Sequence, residues 1–190
     1  MSSLLRFARP DDAGALLGIY AQYIGTSITF EYDLPTEAEF RGRIENISQK
    51  YPYLVHETDG VIDGYAYAHP FHERAAYQWS AELSVYLDRD ARSRGLGSAM
   101  YTAVIELLRL MGVRTVYALV TSPNERSDRL HRSLGFAAAG VVHNAGYKNG
   151  AWRDVTFYEK NIAPYGDPAP LGSVWDIDPE AVREVLEAYP

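Results

Sequence analysis

The sequence predicts an α/β fold, with strands and helices interleaved in a single domain. Three observations carry that prediction. Strand-like and helix-like runs alternate along the chain as far as about residue 160. The pairs Asp59-Gly60 and Asn149-Gly150 join strand-like runs directly, as tight primed hairpin turns require. A chain of 190 residues can bury most of the apolar surface it would expose unfolded, with no need of covalent staples.

Each element has its own signature. Leu4 to Ala8 is a short apolar strand, and Asp11 or Asp12 opens a helix in which Ala15, Leu16, Ile19, Tyr20 and Tyr23 fall near three-four spacing. Thr36 and Glu39 have the spacing of a capping box, and Phe40, Ile44 and Ile47 give a second helix its apolar stripe. YPYLVHE and VIDGYAYAHP form a hairpin around Asp59-Gly60, and YQWSAELSVYL follows as a long strand. GSAMYTAVIELLRLMG reads as a helix closed by Gly112, RTVYALVT as a strand, and NERSDRLHRSLG as a short helix ending in Gly135. FAAAGVVH and AWRDVTFYE are the last two strands.

After Asn161 the composition shifts to proline and glycine in APYGDPAPLGSVW, followed by a helix with Asp178 as cap and Pro179 in its first turn. Residues 1–162 are therefore expected to form the domain and 163–190 a C-terminal arm with a short helix. Too few core-forming residues lie in the arm for it to fold alone. It packs either on its own subunit or on a partner.

Composition excludes several functions. There is no cysteine, so disulfides, zinc-thiolate sites and a cysteine nucleophile are out, and a reducing, cytoplasmic setting is expected. MSSLLRFARPDD has no signal-peptide pattern, and no apolar run approaches the roughly 18 residues of a membrane span. A formal net charge of −7 opposes nonspecific attraction to nucleic acid or anionic lipid.

Against that charge, RDARSRGLGSAMY gathers Arg89, Arg92 and Arg94 beside a Gly-Leu-Gly, between a strand and a helix. Gly95 and Gly97 permit positive φ and close backbone approach, and the helix start aims free N–H groups at whatever sits there. A plain tight turn has the same spacing, but clustered guanidinium groups call for an anion or solvent between them. Neither better-known phosphate loop fits: a dinucleotide fingerprint needs a small residue at Met100, and a Walker loop needs Lys-Ser or Lys-Thr after its last glycine.

RSRGLG resembles the Arg/Gln-x-x-Gly-x-Gly/Ala turn with which GNAT N-acetyltransferases grip the pyrophosphate of acetyl-CoA, and NERSDRLHRSLGF is similar to that family's later segment. IYAQYIGTSITFE, YPYLVHETDGVIDGYAYAHPF, AAYQWSAELSVYLD and GYKNGAWRDVTFYEK narrow the resemblance to the phosphinothricin N-acetyltransferase and L-amino acid N-acyltransferase group, over roughly residues 4 to 160. The resemblance implies a twisted mixed β-sheet with a splay between two central parallel strands, acetyl-CoA as co-substrate, and a homodimer. It places acetyl-CoA against the backbone of Val85, Tyr86 and Leu87, the turn formed by Arg92, Ser93, Arg94, Gly95, Leu96, Gly97 and Ser98, and the Asn124 and Ser127 of the later segment.

Acetyl transfer to an amine needs the free base, whereas an amino acid is mainly ammonium at neutral pH, so a proton acceptor is useful. Glu82 is the candidate: it lies mid-strand among apolar residues, where desolvation raises its pKa and makes it a better base. The alternative is a buried ion pair with an arginine such as Arg74. His131 occupies the position where many relatives carry a tyrosine that protonates the leaving thiolate; it could donate that proton or relay one from the amine. Val85 N–H, or a neighbouring amide, is a candidate oxyanion donor. Arg74, Tyr77 and Phe30 match substrate-associated residues of the group, and Arg74 suits a carboxylate, phosphinate or phosphonate. His72 departs from the lysine of some phosphinothricin-detoxifying members. Tyr147, Lys148, Trp152 and Asp154 lie in a segment expected near a partner's site, or in the core.

The expected activity is acetyl-CoA-dependent acetylation of the α-amine of a small amino acid or analogue, with no metal. Two alternatives stand beside it: acetylation of a protein N-terminus, polyamine or antibiotic, and an inactive acyl-CoA-binding sensor. Neither nucleic acid nor membrane is expected as a partner.

Overall fold

A computed structural model describes residues 2–91 and 95–189. Seven strands form one sheet in the order β1-β2-β3-β4-β5-β7-β6. They are β1 (Ser3–Phe7), β2 (Tyr53–Thr58), β3 (Val61–Pro70), β4 (Ser80–Leu87), β5 (Thr115–Ser122), β6 (Ala137–Lys148) and β7 (Ala151–Asn161). The pairing of β4 with β5 is parallel and every other pairing is antiparallel. The helices are α1 (Ala13–Ile24), α2 (Glu37–Ser48), α3 (Leu96–Met111), α4 (Glu125–Ser133) and α5 (Pro179–Ala188).

Local chemistry accounts for the boundaries. Both hairpin turns place an Asp or Asn and then a Gly at positive φ, at 50° and 80° for Asp59-Gly60 and at 52° and 76° for Asn149-Gly150, the conformation those residues tolerate best. The Thr36–Glu39 capping box forms as its spacing predicts. Gly112, at φ 101°, closes α3 with its N–H on the carbonyls of Arg109 and Leu108.

Two apolar cores sandwich the sheet. One packs α1 and α2 on β2 and β3 through Leu16, Tyr20, Phe40, Ile44 and Tyr65. The other packs α3 through Met100, Val104 and Leu108 on Leu54, Leu83 and Val116. The C-terminal segment lies on its own chain. Val174 is buried and its N–H donates to Lys50 O at 2.8 Å, Trp175 packs at a tilt against Phe7, and Val182, Val185 and Leu186 of α5 close over the α3 core.

Two elements differ from the sequence reading. The stretch before Ser80 is not strand: Ala75–Tyr77 forms a short 3-10 turn, so β4 is shorter than YQWSAELSVYL suggests. β6 runs past His143 to Lys148, because a register shift between Val142 and Gly146, with Asn144 at φ 51°, absorbs turn-forming residues without ending the strand.

Candidate active site

The site is built where β4 and β5 part. Their parallel pairing comprises Ser80↔Thr115, Ala81↔Val116 and Glu82↔Tyr117, after which both strands continue unpaired with one another, to Leu87 and Ser122. Among the described residues this splay opens a cleft of about 470 Å³, lined by Val85 and Leu87 on one side and by Asn124, Ser127 and Leu130 on the other. Tyr23 of α1 fixes its rim: its hydroxyl donates to Leu87 O at 2.6 Å and accepts from Leu87 N–H at 3.2 Å.

The start of α3 forms the cleft floor. Gly95 sits at φ 82°, a conformation that a Cβ would strain, and the first helical bond is Ala99 N–H to Gly95 O at 3.1 Å. The N–H groups of Leu96, Gly97 and Ser98 precede that bond and lie at the cleft, so the helix start presents donors and positive dipole to an anion. Predicted residues Arg92, Ser93 and Arg94 lie outside the described residues. Arg89 does not aim at this turn: its guanidinium donates to Gln22 O and its backbone N–H to Gln22 Oε1 at 3.0 Å, because α1 passes beside it. Arg126 and Arg129 of α4 line the cleft instead. Their three-residue spacing in NERSDR puts both on one helix face, which is the sequence signal for them. Asn124 caps α4, its side-chain oxygen accepting from Ser127 N–H at 3.2 Å. Tyr86 puts no ring into the cleft, for its ring turns to the opposite face and packs edge-on against Tyr20 and Tyr23.

Glu82 is the last residue of the parallel pairing, at the apex of the splay. Its carboxyl is largely desolvated, which pushes its pKa up, while the His69 and His72 rings pull the other way. Among the described residues no ion pair joins it to Arg74; its cross-strand partner is His69, Nε2 to Oε1 3.9 Å. Arg74 stands exposed in the 71–79 connection. In the same connection the His72 ring packs edge-on to Tyr77 at 4.7 Å, and Phe71 stacks on Tyr117, so Tyr77 is held beside the Glu82 end of β4.

His131 is 2% exposed and is not part of the cleft wall. Its Nδ1 lies 2.7 Å from Ser127 O and therefore donates there, leaving Nε2 as an acceptor 3.3 Å from the Tyr101 hydroxyl; the ring stacks on Tyr158. Burial pushes its pKa down, so the ring is neutral at neutral pH. The folded protein then refuses a proton that the unfolded chain accepts below about pH 6.5, so this contribution to stability is present above that pH and is lost as pH falls towards the folded pKa. His131→Phe, which keeps a ring against Tyr158, is expected to lose less Tm than wild type between pH 7 and 5 in thermal melts. Parallel Tm curves would remove this assignment.

The profile of the acetyltransferase (GNAT) domain matches residues 5–157. The chain belongs to the GNAT acetyltransferase family. GNAT enzymes are N-acetyltransferases that draw the acetyl group from acetyl-CoA, and this chain is an enzyme of that acyltransferase class. It is 37% identical to a phosphinothricin N-acetyltransferase of Streptomyces viridochromogenes over 174 residues, covering 91% of this chain and 95% of the relative. It is 33% identical to an L-methionine sulfoximine/L-methionine sulfone acetyltransferase of Pseudomonas paraeruginosa, covering 86% and 97%. Among solved structures, a phosphinothricin acetyltransferase of the GNAT superfamily from Sinorhizobium meliloti, in complex with acetyl-CoA, superposes with a TM-score of 0.82 at 31% identity, covering 95% of this chain and 97% of that one.

In this GNAT chain the loop carrying Phe30 is gripped by the β6–β7 hairpin. Lys148 Nζ, on a residue 3% exposed, donates to Thr29 O at 2.7 Å and Glu31 O at 2.6 Å, Tyr32 donates to Tyr147 O, and Asn149 donates to Gly25 O at 3.1 Å. Lys148 thus holds its own chain's loop, while Tyr147 and Trp152 stand exposed, ring against ring, and Asp154 accepts from Asn144 N–H at 2.9 Å. The Phe30 ring lies so close to Gly146 that an added Cβ would come within 2.5 Å of its Cε2. Gly146→Ala therefore displaces the ring, and the KM for the amine is expected to rise severalfold with the KM for acetyl-CoA unchanged. Equal KM values in steady-state kinetics would place Phe30 outside the amine site.

Proposed function

We propose that the protein acetylates the α-amine of a small amino acid or analogue of the phosphinothricin, methionine sulfoximine or methionine sulfone type, by direct transfer in a ternary complex. The observation that carries this reading is the position of Glu82: a desolvated carboxyl on the last pair before the strands part, next to a cleft whose floor is a helix start. The cleft residues fit acetyl-CoA. The amides of residues 96–98 with Arg126 and Arg129 receive its pyrophosphate, and Val85 and Leu87 flank the thioester arm. Bound there, acetyl-CoA supplies the activated acyl carbon.

Glu82 takes the proton from the substrate ammonium, and β4 amides that face the splay beyond residue 82, such as that of Val85, are available to the developing oxyanion. Arg74 and Tyr77 bind the anionic end of the amino acid, and Phe30 closes the opposite wall. His131 serves in its neutral form, accepting from Tyr101, and is not an imidazolium donor. The relatives' names support the substrate class.

The test is thiol release from acetyl-CoA across amino acids and their phosphinate, sulfoximine and sulfone analogues, with spermine and a peptide alongside. Turnover confined to spermine or the peptide would overturn the substrate assignment. Thermal stabilisation by acetyl-CoA with no thiol released by any amine would make the chain a sensor.

A cytoplasmic homodimer completes the reading. β6 is exposed along most of its length, with Val141 and Val142 uncovered, a face suited to a second copy. Sedimentation is expected to give a dimer that Val141→Asp dissociates.

A further inference from the structure

His69 plays no part in the sequence reading, yet it is the cross-strand neighbour of Glu82. Its Nδ1 lies 3.0 Å from Pro70 O, which accepts a proton and never gives one, so Nδ1 carries the hydrogen. That leaves Nε2, 3.9 Å from Glu82 Oε1, as the basic nitrogen. The His69 side chain is 33% exposed against 21% for Glu82, so the pair runs from the interior towards water. The separation exceeds a direct hydrogen bond, so proton transfer between them runs through a water or a small rotation of the ring.

We propose that His69 is a positioning residue of the acetyl transfer: its neutral Nε2 conducts to solvent the proton that Glu82 removes from the substrate ammonium. The inference rests on the amine acetylation proposed above. The proton balance is simple. The ammonium gives one proton to the carboxylate, leaving free amine and neutral Glu82; Glu82 passes that proton to Nε2, restoring the carboxylate and forming imidazolium; the imidazolium loses it to bulk water. Without this outlet the protonated Glu82 has to exchange its proton through the amine site itself.

Other groups face the pair and do not duplicate it. From the 71–79 connection His72 reaches the field of Glu82, but among the described residues His69 and not His72 comes within 4.0 Å of its carboxyl. Tyr117 is Glu82's partner on β5, and Tyr67 on β3 lies beside His69. Burial keeps both phenols protonated, as it does Tyr101 of α3. Beyond Tyr67, Arg43 of α2 is neutralised by Glu31, at 2.7 and 3.1 Å. His69 is therefore the exchangeable base that leads outward.

The test is the pH profile of kcat/KM for a turned-over amino acid between pH 5.5 and 9.5, in wild type, His69→Gln and His69→Ala. With Nε2 gone, Glu82 has no side chain to take its proton, so His69→Gln is expected to lose kcat/KM most at low pH and least at high pH, where hydroxide takes the proton instead. The loss is expected to be about tenfold at pH 6.5 and to shrink to under twofold at pH 9. Added imidazole is expected to restore His69→Ala severalfold and to leave wild type unchanged, a response that a purely structural histidine does not give. The affinity for acetyl-CoA, by calorimetry, stays within twofold and reports that each variant is folded. A variant profile that superposes on wild type, or falls uniformly without imidazole rescue, overturns the relay while the amine reading stands. A wild type that turns over no amino acid overturns both.

Discussion

Glu82→Gln is expected to lower kcat/KM for the amine by about 10² to 10⁴ at pH 7.5 while leaving acetyl-CoA binding unchanged in calorimetry. The amide keeps the shape of the side chain and loses only the ability to take a proton. Some rate persists, because the helix start, the freed strand amides and the substrate residues still orient the reactants. The pH profile changes with it. Desolvation raises the Glu82 pKa, so in wild type the basic form disappears as pH falls through that raised value, and the acid limb belonging to it vanishes in the variant.

Stability gives an independent sign. A carboxyl with a raised folded pKa binds more protons folded than unfolded, so it lowers stability as pH rises between the unfolded and folded values. Glu82→Gln is therefore expected to raise Tm at pH 8. The opposite result, lower Tm with activity intact, would make Glu82 a structural anchor for the start of β4 and end its assignment as base.

What was legible in the sequence is what local chemistry decides. Gly95, Gly112, Asp59-Gly60 and Asn149-Gly150 are fixed by backbone conformations that few residues tolerate, and Thr36 with Glu39 by hydrogen bonds within one turn. The cleft residues Val85, Gly95 and Asn124 were equally readable, because strand, turn and helix start follow one another in sequence or belong to a resembling motif. Long-range register was not. Nothing in VIDGYAYAHP says that His69 faces Glu82, since the partner depends on how two strands slide until both apolar faces are buried. Arg89 failed for a related reason: the residue that claims it, Gln22, is distant in sequence and arrives only when α1 packs across β4.

Lys148 is a case of burial that the sequence does not announce, and removing its charge is expected to be costly. GYKNGAW reads as a polar turn, yet the ammonium is enclosed, and desolvation pushes its pKa down against the pull of Glu31. It remains a donor to two backbone carbonyls on either side of Phe30, so one side chain sets the height of the whole 25–35 loop over the sheet. Lys148→Met preserves the length of the stem and deletes both charge-assisted bonds, leaving Thr29 O and Glu31 O without that donor. Each such loss costs on the order of 1–3 kcal/mol, so unfolding free energy by urea titration is expected to fall by about 2–6 kcal/mol. The kinetic effect is directional. The loop carries Phe30, assigned above to the amine site, and touches the cleft through Ile28, while the cleft floor at residues 95–98 belongs to another element. The KM for the amine is thus expected to rise at least tenfold, against less than threefold for acetyl-CoA. If the protein lost stability while both KM values held, Lys148 would be a staple of the fold, and the wall of the amine site would have to be sought in the 71–79 connection instead.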